Sequence, residues 1–189
     1  MLTNLNNVIE KAKKIRLAIF DVDGVLTTGV LGYGANGLEY KEFHVYDGQG
    51  MKFLKKSGVE IGIITACKSK MVTKRMQDLE IAHVYQGSCD KMRDYEDLKL
   101  KLNLNDEQIA YIGDDLPDLA LIQKAGLGIT VPNAPQILQT HANWITTRNG
   151  GRGAAREMCE LIMNAQGTYT ALINSYLYTP IDSPLKENS

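Results

Sequence analysis

The chain is poor in several residue types, and each shortage narrows what it does. Among 189 residues only Cys67, Cys89 and Cys159 carry a thiol. The number is odd and no C-x-x-C spacing occurs, so neither a disulfide framework nor a zinc site is expected. Such usage points to a reducing compartment, and the expected location is cytoplasmic. Positive charge is not in excess either. Lysine and arginine total 21 against 22 acidic residues, a formal charge of −1. No nucleic acid partner is therefore expected, because neutralising backbone phosphates takes a surplus of basic side chains. No apolar run approaches the ~18 residues of a membrane-spanning helix, so no membrane partner is expected. Met1 to Arg16 has no apolar centre and no small-residue cleavage site, so no secretory signal is expected there. Histidine and tryptophan are rare. His83 and His141 lack ligand partners at useful spacing and read as structural, Trp144 reads as core, and Cys89 and Cys159 read as packing residues. The rest is ordinary: 44% hydrophobic and 23% charged residues suit a folded domain, and the length suits one.

Short apolar runs mark the expected strands: Leu17–Phe20, Val59–Ile64, Ile81–Tyr85, Ile109–Ile112, Leu127–Val131 and Asn143–Ile145. Between them, apolar residues recur at helical spacing over Gly50–Lys56, Ser69–Leu79, Asp90–Leu102 and Pro117–Lys124, with Gly126 as a C-cap. Alternation of this kind predicts an α/β, Rossmann-like fold: an open parallel sheet with helices on both faces. One stretch breaks the alternation. Glycines 29, 32, 34 and 37 interleave with Val30, Leu31, Leu38, Tyr40, Phe43 and Val45, and Ala35-Asn36-Gly37 is a turn signal. An inserted β-hairpin over about 28–46 is expected. Thr168–Ser189 is polar and carries Pro180 and Pro184, so it reads as a tail. The expected organisation is one domain over 1–178, without a cap domain, and a mobile tail over 179–189.

Ligands of a parallel sheet collect at the carboxyl ends of its strands. Polar features stand at or near those ends here: Asp21 and Asp23, Thr65, Lys91, and Asp114-Asp115 with Asp118. Clustered carboxylates repel unless a cation neutralises them, and oxygen-only ligands favour a hard cation such as Mg²⁺. The chemistry of the parts is phosphoryl transfer. One carboxylate can attack phosphorus and a second can protonate the leaving oxygen. A Lys, a Thr hydroxyl and Mg²⁺ can neutralise the phosphoryl oxygens.

Asp21-Val22-Asp23-Gly24-Val25-Leu26, Thr65, Lys91 and Gly113-Asp114-Asp115-Leu116-Pro117-Asp118 resemble the four motifs of the haloacid dehalogenase (HAD) superfamily, across roughly residues 17–166. The resemblance implies a nucleophile and metal ligand in Asp21. It implies an acid/base in Asp23, whose backbone carbonyl also meets the metal. Thr65 and Lys91 would hold the phosphoryl group, Asp114 would complete the metal site, and Asp115 and Asp118 would support it. Only 41 residues separate Asp23 from Thr65, and 25 separate Thr65 from Lys91. Both gaps are filled by the expected elements, whereas an independent cap needs at least ~50 residues.

Phe43-His44-Val45-Tyr46-Asp47-Gly48-Gln49-Gly50, the hairpin and Gly150 to Glu157 resemble the capless tetrameric subfamily. That subfamily includes phosphatases of 3-deoxy-D-manno-octulosonate (KDO) 8-phosphate, in lipopolysaccharide precursor synthesis. The resemblance implies a Mg²⁺-dependent phosphomonoesterase working through an aspartyl-phosphate. It also implies a homotetramer in which hairpins pair and a neighbour completes each site. Substrate contacts are implied for Asp23, His44, Val45, Tyr46, Asp47, Gly48, Lys52, Arg75 and Lys91, and a helix from Arg152 would lead into the tail. Two departures stand out: Tyr46 takes the place of a usual arginine, and Thr65-Ala66-Cys67 takes the place of a usual Thr-Gly-Arg. Guanidinium pairs a sugar carboxylate in a fixed fork. Another sugar acid phosphate, such as a nonulosonate 9-phosphate, and a catalytically weak oligomerisation module therefore remain open at this level. Cys67 falls near the expected site, with nothing in the sequence to lower its pKa.

Overall fold

The computed structural model describes residues 5–34 and 39–178. The apolar runs become strands: β1 Leu17–Phe20, β4 Glu60–Thr65, β5 His83–Gln86, β6 Ile109–Gly113, β7 Leu127–Thr130 and β8 Trp144–Ile145. Every residue of β1, β6 and β7 is buried, as befits strands covered on both faces. The six strands are parallel and lie in the order β5-β4-β1-β6-β7-β8. The chain runs outward from β1 to β4 and β5, then returns to the other side of β1 at β6. A crevice opens where the winding reverses, outside the ends of β1 and β6.

Right-handed crossovers place α2 (Val45–Lys56) and α3 (Lys70–Asp78) on one face. They place α4 (Lys91–Lys101), α5 (Leu119–Lys124) and α6 (Gln136–His141) on the other. On the first face, α7 (Ala154–Ala165) packs on α2 and on α1 (Leu5–Ala12). A further helix, α8 (Thr168–Leu177), lies on α7. The core runs through both layers, with Phe20, Ile63, Leu98, Tyr111, Met158 and Ile162 all buried. Glycines let helices sit close to strands: a Cβ on Gly128 would meet the Ile122 carbonyl at 1.8 Å.

Several sequence expectations need correction. The hairpin is short: β2 Gly32–Tyr33 pairs antiparallel with β3 Glu39–Tyr40, and the turn signal at 35–37 lies outside the described residues. Val45 and Tyr46 belong to α2, not the hairpin, because His44 Nδ1 accepts from the Tyr46 N–H at 3.2 Å and caps the helix. Strand β5 begins two residues late, at His83. Gly126 is no left-handed C-cap. Its backbone N–H donates to Asp106 O at 2.7 Å, and a Cβ there would meet Glu107 Cα at 2.6 Å, so close approach requires the glycine. The helix expected from Arg152 starts at Ala154, and Thr168–Leu177 is helical rather than tail. The mobility expected for 179–189 concerns residues outside those described. Cys89 is exposed, whereas Cys159 is buried in packing as expected. His83 lies 3.7 Å from Glu60, His141 is exposed, and Trp144 packs partly buried against the core.

Candidate active site

After β1 the chain makes one tight helical turn, in which Leu26 and Thr27 N–H groups donate to Val22 O at 2.9 and 3.0 Å. Gly24 sits at φ +87° inside it, and a Cβ there would strike Asp114 Oδ2 at 1.8 Å. The Gly150-Gly151 loop braces this turn from behind: Gly151 N–H donates to Val25 O at 2.8 Å. Asp21 is thereby buried at the end of β1, and Asp23 is held beside it, partly buried.

The end of β6 supplies the other carboxylates. Asp115 caps a short 3₁₀ turn over Leu116–Asp118 by accepting from the Leu116 N–H at 2.8 Å. The turn folds Asp118 back over Gly113, where a side chain would collide with it at 2.3 Å. Asp118 Oδ2 accepts from the Asp114 and Asp115 N–H groups at 3.1 and 3.3 Å, and its Oδ1 accepts from the Tyr111 hydroxyl. Asp118 is thus a fully occupied buttress that fixes Asp114. Lys91 opens α4 behind its Asp90 cap. Its Nζ lies 2.9 Å from Asp21 Oδ1 and 2.6 Å from Asp118 Oδ1. Thr65, at the end of β4, is buried and lines the same cavity of about 260 Å³. Asp21, Asp23, Thr65, Lys91, Asp114, Asp115 and Asp118 all line it, together with Gly29, Ala66, Cys67 and Pro117.

The electrostatics call for a cation. Burial, and then Asp118, push the Asp21 carboxyl up to about 7. Burial, Asp118 and Asp115 push Asp114 up to about 6. Burial pulls Lys91 down, but the two carboxylates it touches outweigh that and raise it. Asp21, Asp114 and Asp118 each offer an oxygen within 4.8 Å of the others. Lys91 and the fully bonded Asp118 offset each other, which leaves the Asp21 and Asp114 charges for a divalent ion. An all-oxygen donor set of that charge fits Mg²⁺.

The second group of expected substrate contacts lies elsewhere in the chain. His44, Val45, Tyr46, Gly48, Lys52 and Arg75 do not line this cavity. Tyr46 borders a separate hollow of about 280 Å³ with Arg148, Arg156, Glu157 and Glu160. Arg75 donates to His44 O at 3.3 Å and stacks on Phe43, and Gly48 leaves room for its guanidinium. Asp47 is buried and caps α7, accepting from Arg156 N–H at 2.8 Å and Gly153 N–H at 3.3 Å. Burial raises its carboxyl against those bonds. Val45 and Tyr46 are 73% and 59% exposed, and Lys52 is also exposed.

Sequence reasoning missed Lys41, whose Nζ lies 2.5 Å from Asp23 Oδ1 with its side chain only 2% exposed. No periodicity marks a lysine just after a short hairpin strand as buried. It missed Tyr111 as well, which reads as one more strand residue. Cys67 does line the site, and the neighbouring Asp23 carboxylate raises its thiol.

A family model of haloacid dehalogenase-like hydrolases matches residues 66–158. The chain is 45% identical to 3-deoxy-D-manno-octulosonate 8-phosphate phosphatase KdsC of Escherichia coli (strain K12), over 85% of this chain and 86% of that one. The structure of the Moraxella catarrhalis phosphatase of that name, in complex with magnesium ion, phosphate ion and KDO, superimposes with a TM-score of 0.89. It is 44% identical and covers 90% of this chain and 98% of that one. The cobalt-bound Haemophilus influenzae phosphatase is 35% identical with a TM-score of 0.84, covering 89% of this chain and 99% of that one. With its acidic cluster at the winding reversal and these relatives along most of its length, the chain belongs to the KdsC family of the haloacid dehalogenase superfamily.

Proposed function

We propose that the chain hydrolyses KDO 8-phosphate to KDO and phosphate, as a Mg²⁺-dependent phosphomonoesterase of lipopolysaccharide precursor synthesis. The carrying observation is Lys91 bridging Asp21 and Asp118 at 2.9 and 2.6 Å beside Asp23. Lys91 holds the Asp21 carboxylate toward the cavity. Asp21 attacks phosphorus, the bond from phosphorus to the sugar oxygen breaks, and an aspartyl-phosphate forms. Asp23 gives its proton to the leaving oxygen. It then takes a proton from the water that attacks the aspartyl-phosphate, which releases phosphate and restores Asp21. Thr65 and Lys91 hold the phosphoryl oxygens throughout. Held by Asp21, Asp114 and the Asp23 backbone carbonyl, Mg²⁺ would neutralise charge on the phosphoryl group. Asp115 and Asp118 keep Asp114 in place.

The cavity formed by one chain is open and small for an eight-carbon sugar acid phosphate. We place the remaining contacts in trans, in a cytoplasmic homotetramer of capless domains. Exposed Val30, Leu31, Tyr33 and Tyr40 around the hairpin support pairing between subunits. His44, Val45, Tyr46, Gly48, Lys52 and Arg75 would then serve a neighbour's site, with Lys52 and Arg75 facing the sugar carboxylate. The test is phosphate release from KDO 8-phosphate, a nonulosonate 9-phosphate, hexose phosphates and a nucleotide, with and without Mg²⁺. Mg²⁺-dependent preference for KDO 8-phosphate is expected. Preference for the nonulosonate moves the substrate, and no release from any of them overturns the reading.

A further inference from the structure

Two lysines reach the active-site carboxylates, and they divide the work. Lys91 takes the Asp21 side and Lys41 takes Asp23. Lys41 follows β3 directly, and its side chain is 2% exposed although the hairpin lies at the surface. Burying an ammonium is costly unless a carboxylate meets it, so this contact is specified rather than incidental. It engages one oxygen of Asp23, Oδ1, which also lies 3.5 Å from the Thr27 hydroxyl. The other oxygen, Oδ2, is buried and meets no donor in good hydrogen-bond geometry among the described residues, the Cys67 thiol being the neighbouring group that the carboxylate acts on. Buried polar atoms are nearly always satisfied, and an unsatisfied one at a reaction site calls for an explanation.

We propose that Lys41 is the positioning residue of Asp23: by holding Oδ1 it fixes the carboxylate at the cavity wall, oriented for proton exchange with the leaving oxygen and the attacking water. The inference rests on the reading of Asp23 as acid/base. Without the ammonium, the carboxylate is free to turn about its side-chain bonds and to spend Oδ2 on other donors. The pairing also ties the hairpin to the chemistry. Tyr40, one residue before Lys41, lays its ring over Gly32 of β2, where a Cβ would meet it at 2.2 Å. Whatever fixes the hairpin therefore fixes the acid/base.

The test compares phenyl phosphate with p-nitrophenyl phosphate in the full-length Mg²⁺ enzyme and in Lys41→Met, Lys41→Gln and Lys41→Arg. In a mechanism with a covalent intermediate, kcat/KM covers the steps up to cleavage of the ester bond. p-Nitrophenolate departs without a proton, whereas phenolate needs one more strongly, and the two esters are nearly equal in size. Lys41→Met is expected to lose about tenfold more kcat/KM on phenyl phosphate than on p-nitrophenyl phosphate, part of what a positioned acid contributes. Lys41→Arg, which keeps the charge, keeps the wild-type ratio and the wild-type Mg²⁺ affinity by calorimetry. Equal losses on the two esters, or no loss, overturn the proposal. If Lys41→Met does not fold, Lys41→Gln decides. If neither neutral variant folds, the contact is structural and the proposal falls. A wild-type chain that turns over neither ester nor any sugar phosphate overturns the function reading itself, which is a separate result.

Discussion

Lys91 Nζ lies 2.9 Å from Oδ1 of Asp21, and both side chains are more than nine-tenths buried. The lysine stabilises the charge that attack requires, yet the Asp21 carboxyl still stands near 7, because burial and Asp118 outweigh it. The nucleophile is thus held in a form that costs stability until a cation arrives. Asp21→Asn removes that cost together with the nucleophile. We expect turnover to fall by ~10⁴ or more, while the metal-free variant melts higher than wild type at pH 8. Calorimetric melting and phosphate release check both halves. A folded Asp21→Asn chain with wild-type turnover would sink the mechanism.

The same shifts set a pH dependence. Asp21 and Asp114 are raised from 3.8 to about 7 and about 6, so the folded chain binds more protons than the unfolded one between those values. Metal-free stability is therefore highest below about pH 4 as far as these two groups are concerned, and it falls as pH rises toward about 7. Protons and Mg²⁺ compete for the same oxygens. Mg²⁺ affinity should rise at least about tenfold between pH 5.5 and pH 8, and saturating Mg²⁺ should flatten the loss of stability. Titration calorimetry at the two pH values gives the answer. An affinity that does not change with pH would mean that the carboxyls are already ionised without metal.

Gly24 is the tightest point of the site. Its φ of +87° disfavours any side chain, and a Cβ would overlap Asp114 Oδ2 at 1.8 Å. Gly24→Ala must push Asp114 aside. A loss of Mg²⁺ affinity of at least tenfold is expected, with about 1–3 kcal/mol of destabilisation from the backbone. Chemical unfolding measured alongside Mg²⁺ titration separates the two effects. Unchanged affinity would show that Asp114 is not a ligand.

Much of this was legible from residue order, and the reason is physical. Buried parallel strands must be short apolar runs, and their ends must carry the polar residues that meet a ligand. Leu17–Phe20 followed by Asp21 satisfies both demands in one stretch of sequence. What escaped depends on tertiary packing. Gly48 and Gly50 look like helix breakers, yet α2 runs through both, since bare backbone there admits the side chains of Arg75 and Arg156. Thr168–Leu177 mixes threonine, serine and asparagine with apolar residues, and it is helical against α7. Lys41 has no local mark at all, because its burial is decided by where the hairpin lies.

Asp47 separates two accounts of one residue. Family resemblance makes it a substrate contact, whereas here both its oxygens accept N–H groups at the start of α7. Asp47→Ala should cost about 1–3 kcal/mol in urea unfolding, because the buried N–H groups lose their acceptor and the helix loses its cap. Activity at temperatures where the variant stays folded should show a KM close to wild type. A large rise in KM with unchanged stability would instead assign Asp47 to the substrate.

The hairpin decides whether one chain suffices. Leu31, Tyr33 and Tyr40 are 50%, 73% and 60% exposed, an apolar surface that water disfavours. If subunits cover it, Tyr33→Glu places a charge in the interface and leaves the fold of each subunit intact. Light scattering should then report a smaller species. Hydrolysis of KDO 8-phosphate should fall at least about tenfold, because Lys52 and Arg75 no longer reach a neighbour's cavity. The aryl phosphates, which need only the Asp21 side of the site, should lose less. A variant that is monomeric and fully active on the sugar phosphate would show that the cavity around Asp21 grips its substrate without help.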